Sequence, residues 1–100
     1  MPAILPRLHP PRPDFPNAAT AAEEQAMTRH AAWWQERADA GQAVAVGPVL
    51  DPAGVWGLAI IRAESEAVAL KLAEDDPAIA AGLGFRYAGM QMGGLILPGI

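Results

Sequence analysis

The segment that most constrains this fold is residues 55–62, because it is apolar on both sides of a strand. Alternation along the strand puts one set of apolar side chains on each face: Trp56, Leu58 and Ile60 on one, Val55, Ala59 and Ile61 on the other. A strand of this kind must be covered on both faces. A chain of 100 residues forms one domain, so the cover must come from few elements or from a partner.

The clearest helix begins after Thr20. Glu23 follows three residues later, which is the spacing of a capping box, and Gly41 provides the stop after about Ala40. At 100° per residue the helix has one face suited to packing on a core. The residues of that face are Ala26, Met27, His30, Trp34 and Ala38.

Strands and turns surround this helix. Residues 3–8 can form a strand, although Pro6 lacks an N–H and suits an edge strand better than a central one. Residues 9–17 contain four prolines and predict an extended loop. Residues 42–48 form a hairpin with residues 55–62, since the turn between them contains Pro and Gly.

The second half of the chain predicts one more helix and one more strand. Ser65 is the expected N-cap of a helix that continues to about Asp75, and Pro77 ends it. Its inward side chains are predicted to be Val68, Ala69 and Leu72, whereas Leu70 fits no face. Residues 85–92 are the last strand.

The predicted order is therefore β-α-β-β-α-β, an α+β ferredoxin-like arrangement with both helices on one face of the sheet. We expect a single domain over residues 1–100, with its core in residues 3–92 and an apolar, unassigned tail in residues 93–100. The other face of the sheet has no predicted cover. A second copy of the chain is the simplest one, so we expect a homodimer through the sheet face.

Composition excludes several classes of function. The net charge of −4 and the pI near 4.9 leave no basic surface for nucleic acid and none for an anionic membrane. The absence of cysteine excludes thiolate chemistry and cysteine-based zinc sites. We expect no transmembrane segment and no signal peptide, and the sequence contains no phosphate or dinucleotide motif. We expect a cytoplasmic protein without metal or cofactor.

His30 is the main candidate for chemistry, because it lies on the apolar helix face between Met27 and Trp34. A buried imidazole needs hydrogen-bond partners, and a carboxylate bound to one ring nitrogen would orient it for acid–base work. The alternative is a core histidine that only satisfies its own polar atoms.

Four segments together resemble the YCII-related (YciI-like) family. They are PPRPDF from Pro10, EEQAM..H...W from Glu23, GPVLDPAGVWGLAII from Gly47 and DDPAIAAGLGFRY from Asp75. The resemblance covers roughly residues 10–92 and implies a dimeric α+β barrel. It also implies a site formed by a histidine and an aspartate that match His30 and Asp76, with dehydrochlorinase-type lyase activity in one branch. Pro6 and the tail depart from the family pattern.

Both members of this pair have a structural alternative. An Asp before a Pro commonly caps a turn, and from the residues alone Asp75 competes with Asp76. For substrate contacts we single out Arg12 in the proline-rich loop, Trp34 and Gly47. Their alternatives are a surface loop, a core residue and a turn.

The leading functional hypothesis is a small enzyme-like domain in which His30 and Asp76 transfer protons. Its substrate would be an unknown small organic molecule, with an aromatic one suggested by Trp34 and Trp56. The competing hypothesis is a non-catalytic ligand-binding or structural dimer. A cavity beside His30 would favour the first hypothesis.

Overall fold

A computed structural model describes residues 1–99 of the chain. Within them lie a four-stranded antiparallel sheet, three α-helices and one turn of 3₁₀ helix at Phe15–Asn17. The strands are β1 (Ala3–His9), β2 (Ala43–Val49), β3 (Trp56–Arg62) and β4 (Arg86–Gln91). The helices are α1 (Ala21–Asp39), α2 (Glu66–Ala73) and α3 (Pro77–Ala80).

The strand order is β2-β3-β1-β4, as in a ferredoxin-like fold, and β2 and β3 form the predicted hairpin. Strand β1 lies inside the sheet although it contains Pro6, so the preference for an edge position does not hold. The pairing of β1 with β4 runs through Pro6, whereas its pairing with β3 skips Leu5 and Pro6. The missing N–H therefore interrupts one ladder only.

The first helix begins as the sequence predicts. Thr20 accepts a hydrogen bond from the Glu23 N–H, and the Glu23 carboxylate accepts one from the Thr20 N–H. At the other end Gly41 has a φ of 79°, a conformation that glycine adopts without strain. The capping box and the stop are both confirmed.

All three helices pack against the same face of the sheet. Their inner side chains pack on Ile4, Leu8, Ala59 and Ile61, which point to that face. Within α2, Ala69 is fully buried, but Val68 is 50% exposed, so its predicted inward position is wrong. Leu70 packs against the sheet instead. Its side chain lies so close to Gly89 of β4 that a Cβ added at this glycine would be 3.0 Å from it. The small residue on the strand makes room for the helix.

The chain after α2 differs from the prediction of a simple stop. Pro77 ends the first helical segment but also begins α3, where a proline fits because the N–H that it lacks has no helical partner. Asp76 becomes the N-cap between the two segments.

The other face of the sheet has no covering element in residues 1–99. It presents half-buried or exposed apolar side chains, including Leu5, Leu58, Ile60 and Met90. Arg7 lies among them with its guanidinium 4.1 Å from the Trp56 ring. Residues 93–99 of the predicted tail have no regular structure, and Ile100 lies outside the described residues. No helix among residues 1–99 is long and apolar enough to cross a membrane.

Candidate active site

The centre of the candidate site is the carboxylate of Asp76, which is fully buried. Its position follows from the break between α2 and α3, where the chain turns beneath α1. One oxygen, Oδ1, accepts the Ala78 N–H at 2.9 Å and so caps α3. The capping alternative is therefore true as geometry, but it uses only half of the carboxylate.

The second oxygen of Asp76 binds three side chains from outside its own segment. Nδ1 of His30 lies 2.6 Å from Oδ2, and Nε1–H of Trp34 donates to it at 3.1 Å. The Tyr87 hydroxyl also donates to Oδ2, and its oxygen lies 3.0 Å from Trp34 Nε1. Asp76 thus joins α1 and β4 at one point.

These donors decide the charge of the carboxyl group. Burial acts to raise the pKa of Asp76, but hydrogen bonds from His30, Tyr87 and the Ala78 N–H outweigh it and leave the pKa below its usual value. Burial and the negative charge of Asp76 raise the pKa of Tyr87, so the phenol keeps its proton.

An ionised Asp76 fixes the tautomer of His30. A carboxylate has no proton to donate, so the 2.6 Å contact requires the proton on Nδ1. We therefore assign Nδ1–H to His30, which leaves the lone pair on Nε2 when the ring is neutral. Among residues 1–99, Nε2 has no hydrogen-bond partner.

His30 faces a cavity of about 430 Å³ between α1 and the sheet. The histidine side chain is 17% exposed, so it is reachable from this space, whereas Asp76 is not. The walls come from α1, from β2 and β3 and from the ends of β1 and β4. The lining residues include Phe15, Trp34, Val46, Phe85 and Tyr87.

The predicted substrate-contact residues do not all lie at the cavity. Trp34 and Gly47 line the cavity, but Arg12 does not. The Arg12 guanidinium instead holds both oxygens of the Glu23 carboxylate, at 2.8 and 2.7 Å. This ion pair fastens the proline-rich loop to the start of α1. Trp56 also borders the cavity, while its indole N–H donates to Asp51 and its ring lies against Arg7.

Sequence reasoning missed the part played by Tyr87. A signal was present, since Tyr87 is in a strand where Phe85 and Gly89 share its side of the sheet, and a buried tyrosine hydroxyl needs a partner. Asp75, the neighbour that competed with Asp76, is exposed. Among residues 1–99, no three His, Asp or Glu side chains lie close enough to hold one metal ion.

The sequence was compared with protein-family models and with curated proteins. The sequence model of the YCII-related domain matches residues 7–92, which include every side chain of the site. No curated protein matches the chain. Since the matched region covers most of its length, the chain belongs to the YCII-related domain family.

Proposed function

We propose that this domain removes a proton from a small organic molecule and promotes an elimination, with His30 as the base. The observation that carries the proposal is the 2.6 Å contact from Nδ1 to the buried Asp76 carboxylate, beside a cavity that His30 itself lines. A histidine oriented by a carboxylate is a common arrangement for general acid–base catalysis.

In the proposed step, Nε2 of His30 takes a proton from a carbon next to an electron-withdrawing group. The electrons of the C–H bond form a C=C bond, and a leaving group such as chloride departs with its bonding pair. The imidazolium is stabilised by Asp76 and later gives its proton to water. Asp76 itself stays ionised, because its oxygens already accept hydrogen bonds from four donors.

The competing hypothesis is a module that binds or packs without catalysis. A packed core histidine needs no space next to its ring, whereas here a cavity large enough for a small molecule adjoins it. This cavity supports a ligand site and favours the enzyme over a purely structural dimer. Binding without turnover is the remaining alternative, and activity of variants separates the two.

The test is chloride release from β-chloro ketones, which have an acidic C–H next to the carbonyl. His30→Gln keeps a side chain of similar polarity and should lower the turnover rate by roughly a hundred-fold to ten-thousand-fold. Asp76→Asn should lower it as well, and the exposed Asp75→Asn is the matched control that should leave it unchanged. Equal rates for the wild type and His30→Gln would contradict the proposal.

We also propose that the active form is a homodimer joined through the open sheet face. Support comes from the apolar side chains on that face, among them Ile60 of β3 and Met90 of β4, the latter 57% exposed. An uncovered apolar sheet face of this kind is typical of an interaction surface. A stable interface would bury on the order of 1,600 Å² in total.

A further inference from the structure

Resting on the proposed function, we propose that the cavity takes an uncharged, apolar molecule with a flat ring and rejects carboxylates and phosphates. The substrate would bring one polar group or acidic C–H to Nε2 of His30 and bury the rest of its surface among apolar side chains. The lining residues, the polar atoms among them that are already engaged and the arrangement of their rings support this ligand class.

Among residues 1–99, the absence of charged side chains from the lining favours a neutral ligand. None of the lining residues in the described part of the chain is Arg, Lys, Asp or Glu. Arg12, the cation of the adjacent loop, is bound through two hydrogen bonds to the buried Glu23 carboxylate. An anion entering the cavity would lose its hydration and find no cation to replace it, which is costly.

The hydrogen-bond donors of Trp34 and Tyr87 are not available to a ligand. The indole N–H of Trp34 and the hydroxyl of Tyr87 both border the cavity, yet both are directed to Asp76. These groups therefore contribute their rings to the wall and leave their polar atoms for the carboxylate. Gln35, another polar residue of the lining, donates its amide N–H to Asp39 at 2.9 Å. His30 Nε2 has no such partner within residues 1–99 and is the polar atom placed for the reacting group.

The arrangement of the aromatic rings in the cavity wall favours a flat ligand. The rings of Phe15 and Phe85 meet edge to face with centroids 4.9 Å apart, and Trp34 and Tyr87 meet in the same manner at 6.4 Å. Such walls favour a flat ring, which can lie against aromatic faces and edges. A volume of about 430 Å³ lies within the range for small-molecule sites.

The experiment compares two probes of the same ring system by calorimetric titration at about pH 7, where naphthol is neutral and naphthoate is anionic. We expect β-naphthol to bind at least tenfold more tightly than β-naphthoate. Val46→Trp, which places a large side chain at the cavity wall, should weaken naphthol binding at least tenfold. Val68→Trp is the matched control on the exposed side of α2 and should bind naphthol like the wild type.

Two results would overturn the inference: naphthoate binding as tightly as naphthol, or no naphthol binding at millimolar concentration. His30→Gln separates this inference from the proposed function. If naphthol binds the variant and the variant still releases chloride at the wild-type rate, the base assignment fails and the ligand class stands. If chloride release depends on His30 but naphthoate binds equally well, the ligand class fails and the base assignment stands.

Discussion

Replacing Tyr87 with phenylalanine tests the charge of Asp76 directly. The substitution removes one O–H donor to Oδ2 and keeps the ring, while Trp34 still donates to the same oxygen. A hydrogen bond to a charged group contributes about 1.5–3 kcal/mol to stability, against about 0.5–1.5 kcal/mol for a neutral pair. We therefore expect Tyr87→Phe to lower the free energy of unfolding by about 2 kcal/mol at about pH 7.

The loss should depend on pH. A carboxyl group whose pKa is depressed in the folded state stabilises the fold above its unfolded pKa, and the stabilisation fades as the pH falls through the folded pKa. The difference between the wild type and Tyr87→Phe should therefore shrink below about pH 4. Urea unfolding measures this difference in the free energy of unfolding. Both proteins are compared at one protein concentration, because the stability of a dimer depends on concentration.

A double-mutant cycle with Asp76→Asn provides the control. Asparagine keeps an oxygen to cap the Ala78 N–H and loses the charge, so it isolates the interaction with Tyr87. We expect a coupling energy of about 1 kcal/mol or more between the two substitutions. Additive effects within about 0.5 kcal/mol, or the same loss of stability at acidic and neutral pH, would show that Tyr87 does not stabilise a charged Asp76.

Three further predictions concern the rest of the fold. Hydrogen bonds from Arg12 and the Thr20 N–H lower the pKa of Glu23 from 4.5 to about 2. The ionised Glu23 therefore stabilises the fold fully above the higher pH value, and this stabilisation fades towards the lower one, so Glu23→Gln should flatten the decline of Tm between the two. Gly84→Ala should cost about 1–2 kcal/mol in urea unfolding, because φ is 96°, whereas Gly93→Ala should be neutral since its added Cβ meets no atom within 4 Å. Ile60→Asp should convert a dimer of twice the 10.5 kDa chain mass into a monomer in light scattering, and the exposed Val68→Asp should not.

Local signals in the sequence predicted most of the elements. The capping box at Thr20, the stop at Gly41 and the turn between β2 and β3 each depend on residues close together in the chain. Such signals act before any tertiary contact forms, which is why they could be interpreted without the structure. The apolar faces of β3 likewise follow from simple alternation.

Features that depend on distant residues could not be predicted in the same way. Leu70 packs on the sheet because Gly89, nineteen positions later, leaves space there for its side chain. Pro6 is tolerated in an inner strand because only the pairing with β3 is interrupted there. Helical periodicity predicts Val68 on the inward face, because it takes no account of neighbours on other elements, whereas Val68 is exposed.

In the candidate site, too, some features could be predicted from the sequence, and others depend on contacts between distant residues. The pair His30 and Asp76 was proposed from the helix face and from the family resemblance, and the structure places the two side chains in contact. Tyr87 and the engagement of Arg12 with Glu23 were missed, because both depend on how the proline-rich loop and β4 meet α1. The role of His30 as a base stays a prediction.

The position of the proton on His30 can be measured by ¹⁵N NMR of the histidine side chains under conditions where the ring is neutral. We expect a proton on Nδ1 and an unprotonated Nε2 in the wild type, with Nδ1 held by Asp76. In Asp76→Asn this preference should weaken, while Asp75→Asn should match the wild type. A proton on Nε2 in the wild type, or identical spectra for the two asparagine variants, would show that Asp76 does not orient His30.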